Sequence, residues 1–211
     1  MTWRKRIFDL FFASLLVIIL GPVILFLILV IWRKQGRPLF YVAERMKTPD
    51  QPFGLWKFRT MTVVDADAGV SGGNKEARIT PMGAKLRARR LDEFPQLWNI
   101  LKGDLSFVGP RPPLREYVER FPDIYGEVLK SRPGVTGLAT IRFHKHEDRL
   151  LSRCTTAQET DDVYTRICVP RKARLDLIYA RNQSTCYDFD LVFQTIGNLF
   201  RRKRKGGDAK N

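Results

Sequence analysis

Cysteine and histidine are scarce in this chain. Its 211 residues include three cysteines, Cys154, Cys168 and Cys186, and two histidines, His144 and His146. The odd cysteine count and the lack of any C-x-x-C spacing support neither a disulfide framework nor a zinc site, and fit a reducing compartment. The two histidines lie close together in a polar stretch and read as surface residues rather than metal ligands. No G-x-x-x-x-G-K-[ST] pattern occurs, so the glycine-rich run 65–80 reads as a loop and not as a phosphate-binding one. Acidic residues are also in deficit, 22 against 37 basic, for a formal net charge of +15. Such a surplus implies an anionic partner: nucleic acid, an anionic membrane or a phosphorylated substrate. Nucleic acid is not expected, because the cations are spread along the chain and no DNA- or RNA-binding motif appears.

Charge is absent altogether from Leu10 to Trp32. The run is long enough to cross a hydrocarbon core, which takes ~20 helical residues. It exceeds the apolar stretch of a signal peptide, and no A-x-A cleavage pattern follows. Hydropathy alone suits a simple spanning helix. Two features suit a re-entrant hairpin that enters and leaves by one face. Gly21 and Pro22 fall in mid-run, where proline removes a backbone donor and clashes with the preceding turn. Both flanks are basic, with Arg4, Lys5 and Arg6 before and Arg33, Lys34 and Arg37 after, which the positive-inside rule satisfies best if both ends stay cytoplasmic.

Beyond the anchor, two apolar-alternating runs flank a Pro- and Asp-bearing turn near residues 47–52, which predicts a β-hairpin. Helical patterning covers 82–101, interrupted at Pro95, and 113–130, broken near Pro122. Residues 131–141 read as a turn and a short extended run, and 142–170 as polar and irregular. Helical periodicity returns from Arg171 and again from Tyr187, where Phe189, Val192, Phe193, Ile196 and Phe200 recur at helical spacing as either a core face or an interfacial one. The expected division is an anchor over 1–36, a catalytic domain over 37–200 and a basic, disordered tail over 201–211. The fold class is α/β mixed, mostly helical, with a small β-hairpin and amphipathic interfacial helices.

The chemistry-bearing stretch is ARRLDEFPQLWNILKGDLSFVGPRP, residues 88–112. An adjacent Asp-Glu pair on its own is an ordinary solvated helix feature. Here Asp92 and Glu93 follow Arg87, Pro95 fixes the backbone after them, and Arg111 sits between Pro110 and Pro112. A guanidinium so restrained suits bidentate phosphate contact. Lys57 and Arg59, two apart, would share a strand face. Cations converging on carboxylates suit a site that holds phosphates and Mg²⁺ together, since Mg²⁺ is usually bound by one or two carboxylates plus substrate phosphates. The cations should also lower the carboxylate pKa.

The stretches KRIFDL with its apolar run, GRPLFYVAERM, KFRTM, RITPMGAKLR, LDEFPQLWNILKGDLSFVGPRP, RPGVTGLA and LDLIYARNQSTCYDFDL cover most of residues 4–193. They resemble the bacterial sugar transferases that are small monotopic phosphoglycosyl transferases, typified by the bacillosamine-phosphate transferase of N-linked glycosylation. The resemblance implies transfer of a sugar 1-phosphate from a UDP-sugar to a polyprenyl (undecaprenyl) phosphate, with release of UMP, as the first membrane step of a glycoconjugate pathway. It implies Asp92 as nucleophile, forming a covalent phosphosugar intermediate, and Glu93 as the Mg²⁺-binding partner. It further implies roles for Arg87 and Arg111 on phosphates and for Asp188 in supporting the site. Lys57, Arg59 and Arg132 are either substrate-binding or parts of structural salt bridges. The expected location is the bacterial inner membrane, in contact with its lipids and with the catalytic domain on the cytoplasmic face, and relatives leave a homodimer open.

Two departures matter. The membrane kink is Gly21-Pro22 where small members often have Ser-Pro, and after RPGVTGLA the chain reads TIRFHKHEDRL in place of the common glutamine and GR element. Sugar identity is therefore not carried over. Rival readings are a membrane-tethered nucleic-acid binder and an inactive scaffold of a polysaccharide assembly.

Overall fold

The computed structural model describes residues 2–63 and 77–207, with side chains described through Asn198. Most of the glycine-rich loop and the last residues of the basic tail lie outside that range.

Helix α1 (Trp3–Gln35) takes up the whole apolar run. Thr2 opens it by accepting from the Lys5 amide at 3.4 Å, and Arg33 and Lys34 favour its carbonyl end. The helix continues through Gly21 and Pro22, so the expected break does not interrupt it. Pro22 deletes one donor from the ladder and leaves the Ile18 carbonyl without its usual partner, but the turns on either side are unbroken runs of Leu, Ile and Val.

One stripe of α1 packs on the rest of the chain along its full length. Lys5, Asp9, Ala13, Leu27 and Ile31 are buried, and Leu16, Leu20 and Ile24 partly so, a three-and-four spacing. Both ends are tied to the same body. Lys5 Nζ reaches Asp188 Oδ2 at 2.5 Å and the Tyr179 hydroxyl at 3.2 Å. Arg6 donates to the carbonyls of Ile100 and Leu101 at 2.6 and 2.7 Å, and Asp9 accepts from Ser106 Oγ and the Phe107 amide. At the far end Arg59 donates to the carbonyls of Gln35 and Gly36 at 2.5 and 3.2 Å. The opposite face, with Phe11, Ile18, Phe26 and the flanking Trp3 and Trp32, is exposed.

The hairpin forms as expected. Strands β1 (Phe40–Thr48) and β2 (Gln51–Phe58) pair antiparallel, turning at Pro49-Asp50. The helical stretch that follows divides earlier than Pro95 suggests. Helix α2 (Pro81–Ala88) ends at Arg89, Arg90 takes φ +55°, residues Leu91–Glu93 form a 3-10 turn, and α3 (Gln96–Lys102) follows. Strand β3 (Ser106–Val108) pairs in parallel with β4 (Gly134–Thr136), and α4 (Arg115–Arg120) and α5 (Pro122–Val128) lie between them, parted at Pro122 as expected.

Residues 142–170 are not irregular. Helix α6 (Leu138–Leu151) buries Leu138, Ala139, Phe143 and Leu151 and turns its charges outward except Glu147, which is mostly buried against Lys172. Helix α7 (Ala157–Val163) starts at a capping box, with the Thr156 hydroxyl on the Glu159 amide at 3.1 Å and Glu159 Oε2 on the Thr155 amide at 2.8 Å. A π-helical segment, Tyr164–Cys168, leads into α8 (Val169–Asn182). Charge density hid an amphipathic pattern whose apolar positions are sparse. Helix α9 (Thr185–Gly207) runs past residue 200 into the segment expected to be disordered, where Lys and Arg are good helix formers and favour a helix C-terminus. On α9, Phe189 packs edge-on against Phe8 and Phe12, whereas Phe193 and Ile196 are exposed, so the periodic face is core at one end and surface at the other.

The Lys5–Asp188 pair is nearly sealed, with side chains 6% and 4% exposed, and the Tyr179 hydroxyl closes it by donating to Asp188 Oδ1 at 2.7 Å. Asp188→Asn leaves a buried ammonium without its counter-charge, and such losses cost about 3–5 kcal/mol. Lys5→Met combined with Asp188→Leu should recover much of that. Thermal melting of the detergent-solubilised chain checks both. A single variant as stable as wild type would show that the pair does not hold α1.

Candidate active site

Asp92 and Glu93 owe their placement to three local constraints. Gly83 in α2 lies so close to the Thr60 carbonyl that a Cβ there would come within 2.0 Å of it, which brings the helix hard against the end of the hairpin. Thr80 fastens the same corner, accepting from the Gly83 amide at 2.9 Å and donating its own amide to the Thr60 carbonyl at 3.0 Å. The left-handed Arg90 then reverses the chain. That conformation is unfavourable for a residue with a side chain, and it turns the two carboxylates inward instead of along a solvated helix face.

Arg111 is placed by a separate clamp. The Gly109 amide donates to the Thr136 carbonyl at 2.9 Å, the Gly134 amide to the Pro110 carbonyl at 2.8 Å, and the Met46 amide to the Pro113 carbonyl at 3.0 Å. The Pro-Arg-Pro turn is thus pinned to β4 on one side and β1 on the other. Its arginine side chain is exposed and makes no ion pair among the described residues.

The two carboxylates are treated differently. Glu93 Oε2 accepts from Arg90 Nε at 3.0 Å and from the terminal nitrogen of Arg90 at 2.7 Å, and Lys57 Nζ lies 3.7 Å from its Oε1. Asp92, only 7% exposed, has no ion pair within 4 Å among the described residues. Their protonation diverges accordingly. Burial favours the neutral form of both. For Glu93 the nearby Arg90, Lys57 and Arg111 outweigh burial and hold its pKa below the ordinary glutamate value. For Asp92 burial, reinforced by the charge on Glu93, outweighs Lys57 and Arg87 and raises its pKa. The expectation that surrounding cations would lower the pKa therefore holds for Glu93 and reverses for Asp92, because Glu93 takes the close cation contacts.

Of the residues named from the sequence, Asp92, Glu93, Arg87, Lys57 and Arg111 come together. Arg87 Nε donates to Thr60 Oγ1 at 2.9 Å and its charge is felt at Asp92. Arg59, Arg132 and Asp188 do not join them. The strand ends at Phe58, so alternation does not carry Arg59 to the face of Lys57, and it fastens α1 instead. Arg132 lies by Arg6 and Gly103, under the start of α1. Asp188 belongs to the Lys5 pair.

Sequence reasoning missed Arg45 and Arg90. Arg45 is half-buried on β1, and burial and the charge on Arg111 both oppose its ionisation. A guanidinium does not deprotonate in proteins, so the repulsion stays until an anion arrives. In the sequence Arg45 looks like an outward polar residue of a hairpin. Its cue is the register, since Lys57 faces Tyr41, which shares a strand face with Arg45. Arg45, Lys57, Arg87, Arg90 and Arg111 outnumber Asp92 and Glu93. The surplus suits a polyanion, and Lys57 is pushed down to about 8 by burial and by Arg111.

No group of three or more His, Cys, Asp or Glu side chains among the described residues could cage a metal ion. Asp92 and Glu93 fit Mg²⁺ only as part of a shell completed by substrate phosphates.

The chain as a whole is similar to known proteins. The family described as bacterial sugar transferase matches residues 1–202. The chain is 32% identical over 203 residues to a Klebsiella pneumoniae protein named UDP-glucose:undecaprenyl-phosphate glucose-1-phosphate transferase, covering 94% of this chain and 40% of that protein. A protein of the same name from Caulobacter vibrioides is 37% identical over 201 residues, covering 93% and 69%. The UDP-N-acetylgalactosamine-undecaprenyl-phosphate N-acetylgalactosaminephosphotransferase of Aeromonas hydrophila is 30% identical over 201 residues, covering 92% and 43%. The chain thus spans about two fifths of the Klebsiella and Aeromonas proteins.

Lys57 supplies a pH signature. Its charge is present below about pH 8 and lost above it, two units or so under an ordinary lysine. Affinity for a diphosphate ligand should fall as pH rises through that value in wild type. Lys57→Arg should move the fall out of range. Equilibrium binding of UDP between pH 6.5 and 9.5 checks this, and a wild-type curve flat across pH 8 would remove Lys57 from the anion site.

Proposed function

The chain belongs to the bacterial sugar transferase family, and on that premise we propose that it moves a sugar 1-phosphate from a UDP-sugar to undecaprenyl phosphate through a covalent intermediate on Asp92. The observation that carries the reading is the asymmetry of the pair: Glu93 is held by Arg90 and Lys57, while its neighbour is buried without a close cation. A carboxylate tied to cations is a poor nucleophile and a good fixture. Asp92 is the one left to react.

In the first step an Asp92 carboxylate oxygen attacks the β-phosphorus of the donor. The bond from that phosphorus to the bridging oxygen breaks, and UMP departs with the electron pair. Arg45, Lys57 and Arg111 receive the diphosphate and offset the charge that an anionic nucleophile must approach. In the second step an oxygen of the lipid phosphate attacks the same phosphorus, the aspartyl–phosphorus bond breaks, and Asp92 is regenerated as carboxylate. Mg²⁺, when bound, would be held by Glu93 with the substrate phosphates, beside Asp92, and would supply charge neutralisation. The relatives' names carry both glucose and N-acetylgalactosamine, so the sugar is an outcome of the assay.

The lipid substrate requires a membrane seat. The exposed apolar face of α1 suits lipid, and the ties at Lys5 and at Gln35 place both helix ends on one body. The reading is a monotopic helix seated in the cytoplasmic leaflet of the inner membrane, with both ends on the cytoplasmic side, its exposed face toward lipid and the catalytic residues at headgroup level. The exposed Phe193 and Ile196 of α9 extend the same surface. A homodimer is compatible with this seat.

UMP release from a panel of UDP-sugars with undecaprenyl phosphate tests the chemistry. Wild type should need Mg²⁺, and Asp92→Asn should lose activity by more than about a thousandfold. Without acceptor, wild type and not the variant should gain the mass of one phosphosugar. A variant as active as wild type would remove Asp92 from the nucleophile's place. Topology has its own check. Single cysteines at Thr2 and Arg37, in a chain cleared of its native cysteines, should label from the same side of inverted vesicles, and labelling from opposite sides would establish a spanning helix instead.

A further inference from the structure

Behind Arg111 lies a polar cluster that the reaction above does not use. Lys172, on the first turn of α8, pairs with Glu147 of α6 at 2.8 Å, and the two side chains are 14% and 16% exposed. The same ammonium donates to the Tyr164 hydroxyl at 3.2 Å and sits 5.0 Å from the centre of its ring. Tyr164 opens the π-helical segment, a rare geometry found disproportionately at functional sites, and its ring lies 4.7 Å from that of Tyr117 on α4.

The cluster and the cation site share a wall. Helix α4 continues directly from the Pro-Arg-Pro turn that carries Arg111, and Pro113 in that connection binds the Met46 amide next to Arg45. Arg111 lies within electrostatic reach of Glu93 and Lys172 alike, and Arg45 within reach of Tyr164.

A mostly buried Lys–Glu pair is a weak source of stability, because desolvation offsets much of the attraction. Its hydrogen-bonding capacity is also underused. Among the described residues Lys172 spends two donors, on Glu147 and Tyr164, and Glu147 spends one oxygen on Lys172. That leaves an ammonium donor beside a carboxylate acceptor, the set that a pair of neighbouring hydroxyls can satisfy. We propose that Glu147, Lys172 and Tyr164 form the wall that binds a polyhydroxylated ring of the donor, an inference that rests on the UDP-sugar reading above. The hexose and the ribose share this chemistry.

The test measures binding without turnover. Equilibrium dialysis of UMP, UDP-glucose, UDP-galactose and UDP-N-acetylgalactosamine against the full-length, detergent-solubilised Asp92→Asn chain is repeated after adding Glu147→Gln, Lys172→Met or Tyr164→Phe. The last keeps the ring packed against Tyr117 and removes only the hydroxyl that positions Lys172. Each change should weaken the best donor roughly tenfold to a hundredfold, the worth of a hydrogen bond to a charged group. Weakening that differs among the sugars and spares UMP places the hexose on the wall. Equal weakening of UMP and every donor places the ribose there. Unchanged affinity for all ligands in variants that melt like wild type overturns the proposal, as does an unchanged Tyr164→Phe should the other two not fold. UMP release by wild type is measured in parallel. Donor binding without release would sink the transfer reaction and leave the wall standing.

Discussion

Two carboxylates on consecutive residues cannot both be buried and charged without help, and the site is organised around that constraint. Coulomb repulsion between them and loss of hydration both favour protonation. The chain answers unevenly. The left-handed Arg90 folds back so that its guanidinium meets Glu93, and Lys57 reaches the same carboxylate from β2. Glu93 is thereby kept ionised while Asp92, without such contacts, carries a raised pKa. The strained residue, the cross-strand lysine and the clamped Pro-Arg-Pro turn all bear on that one separation of roles.

The same economy links the anchor to the domain. A helix long and apolar enough to cross a membrane would ordinarily be joined to its domain by one end. Here a whole stripe of α1 packs against β2, α2, α3 and the β3 strand, and polar ties close both ends. The face packed on the core and the exposed apolar surface are therefore opposite faces of one helix. Of the eight side chains marked from the sequence as catalytic or substrate-binding, Arg59 and Asp188 are tied into this junction and Arg132 lies beside it.

What the sequence disclosed follows from how local each signal is. The hairpin was legible because alternation and a Pro-Asp turn are contained within a few residues. The breaks at Pro122 and near Pro95 were legible for the same reason, although the actual break came at Arg90, where no residue type announces a positive φ. The helices of 142–170 were obscured because their few buried positions, Phe143 and Leu151 among them, are diluted by charge; Thr156 and Glu159 were the one local cue. At the site, Asp92, Glu93, Arg87 and Arg111 stand out by sequence context. Arg45 does not, since its neighbour Arg111 is distant in sequence and the Met46–Pro113 bond that joins them depends on the tertiary fold. Asp188 was marked for support of the site, and its partner Lys5, 183 residues away, could not be read from its local sequence.

Charge balance gives the site its direction. Burial and mutual repulsion make Arg45 and Lys57 costly in the free protein, and Arg111 adds to that cost from the rim. Under the proposed reaction a bound diphosphate would relieve all three, so part of its binding energy would already be stored as repulsion among the cations. When UMP leaves, the transferred phosphate stays and the other half of the relief is lost. Under the proposed reaction, the cations are then again short of an anion when the lipid phosphate arrives. In that scheme, a surplus of fixed positive charge larger than one phosphate needs would let a single site accept two phosphorylated substrates in turn without rearranging the fold.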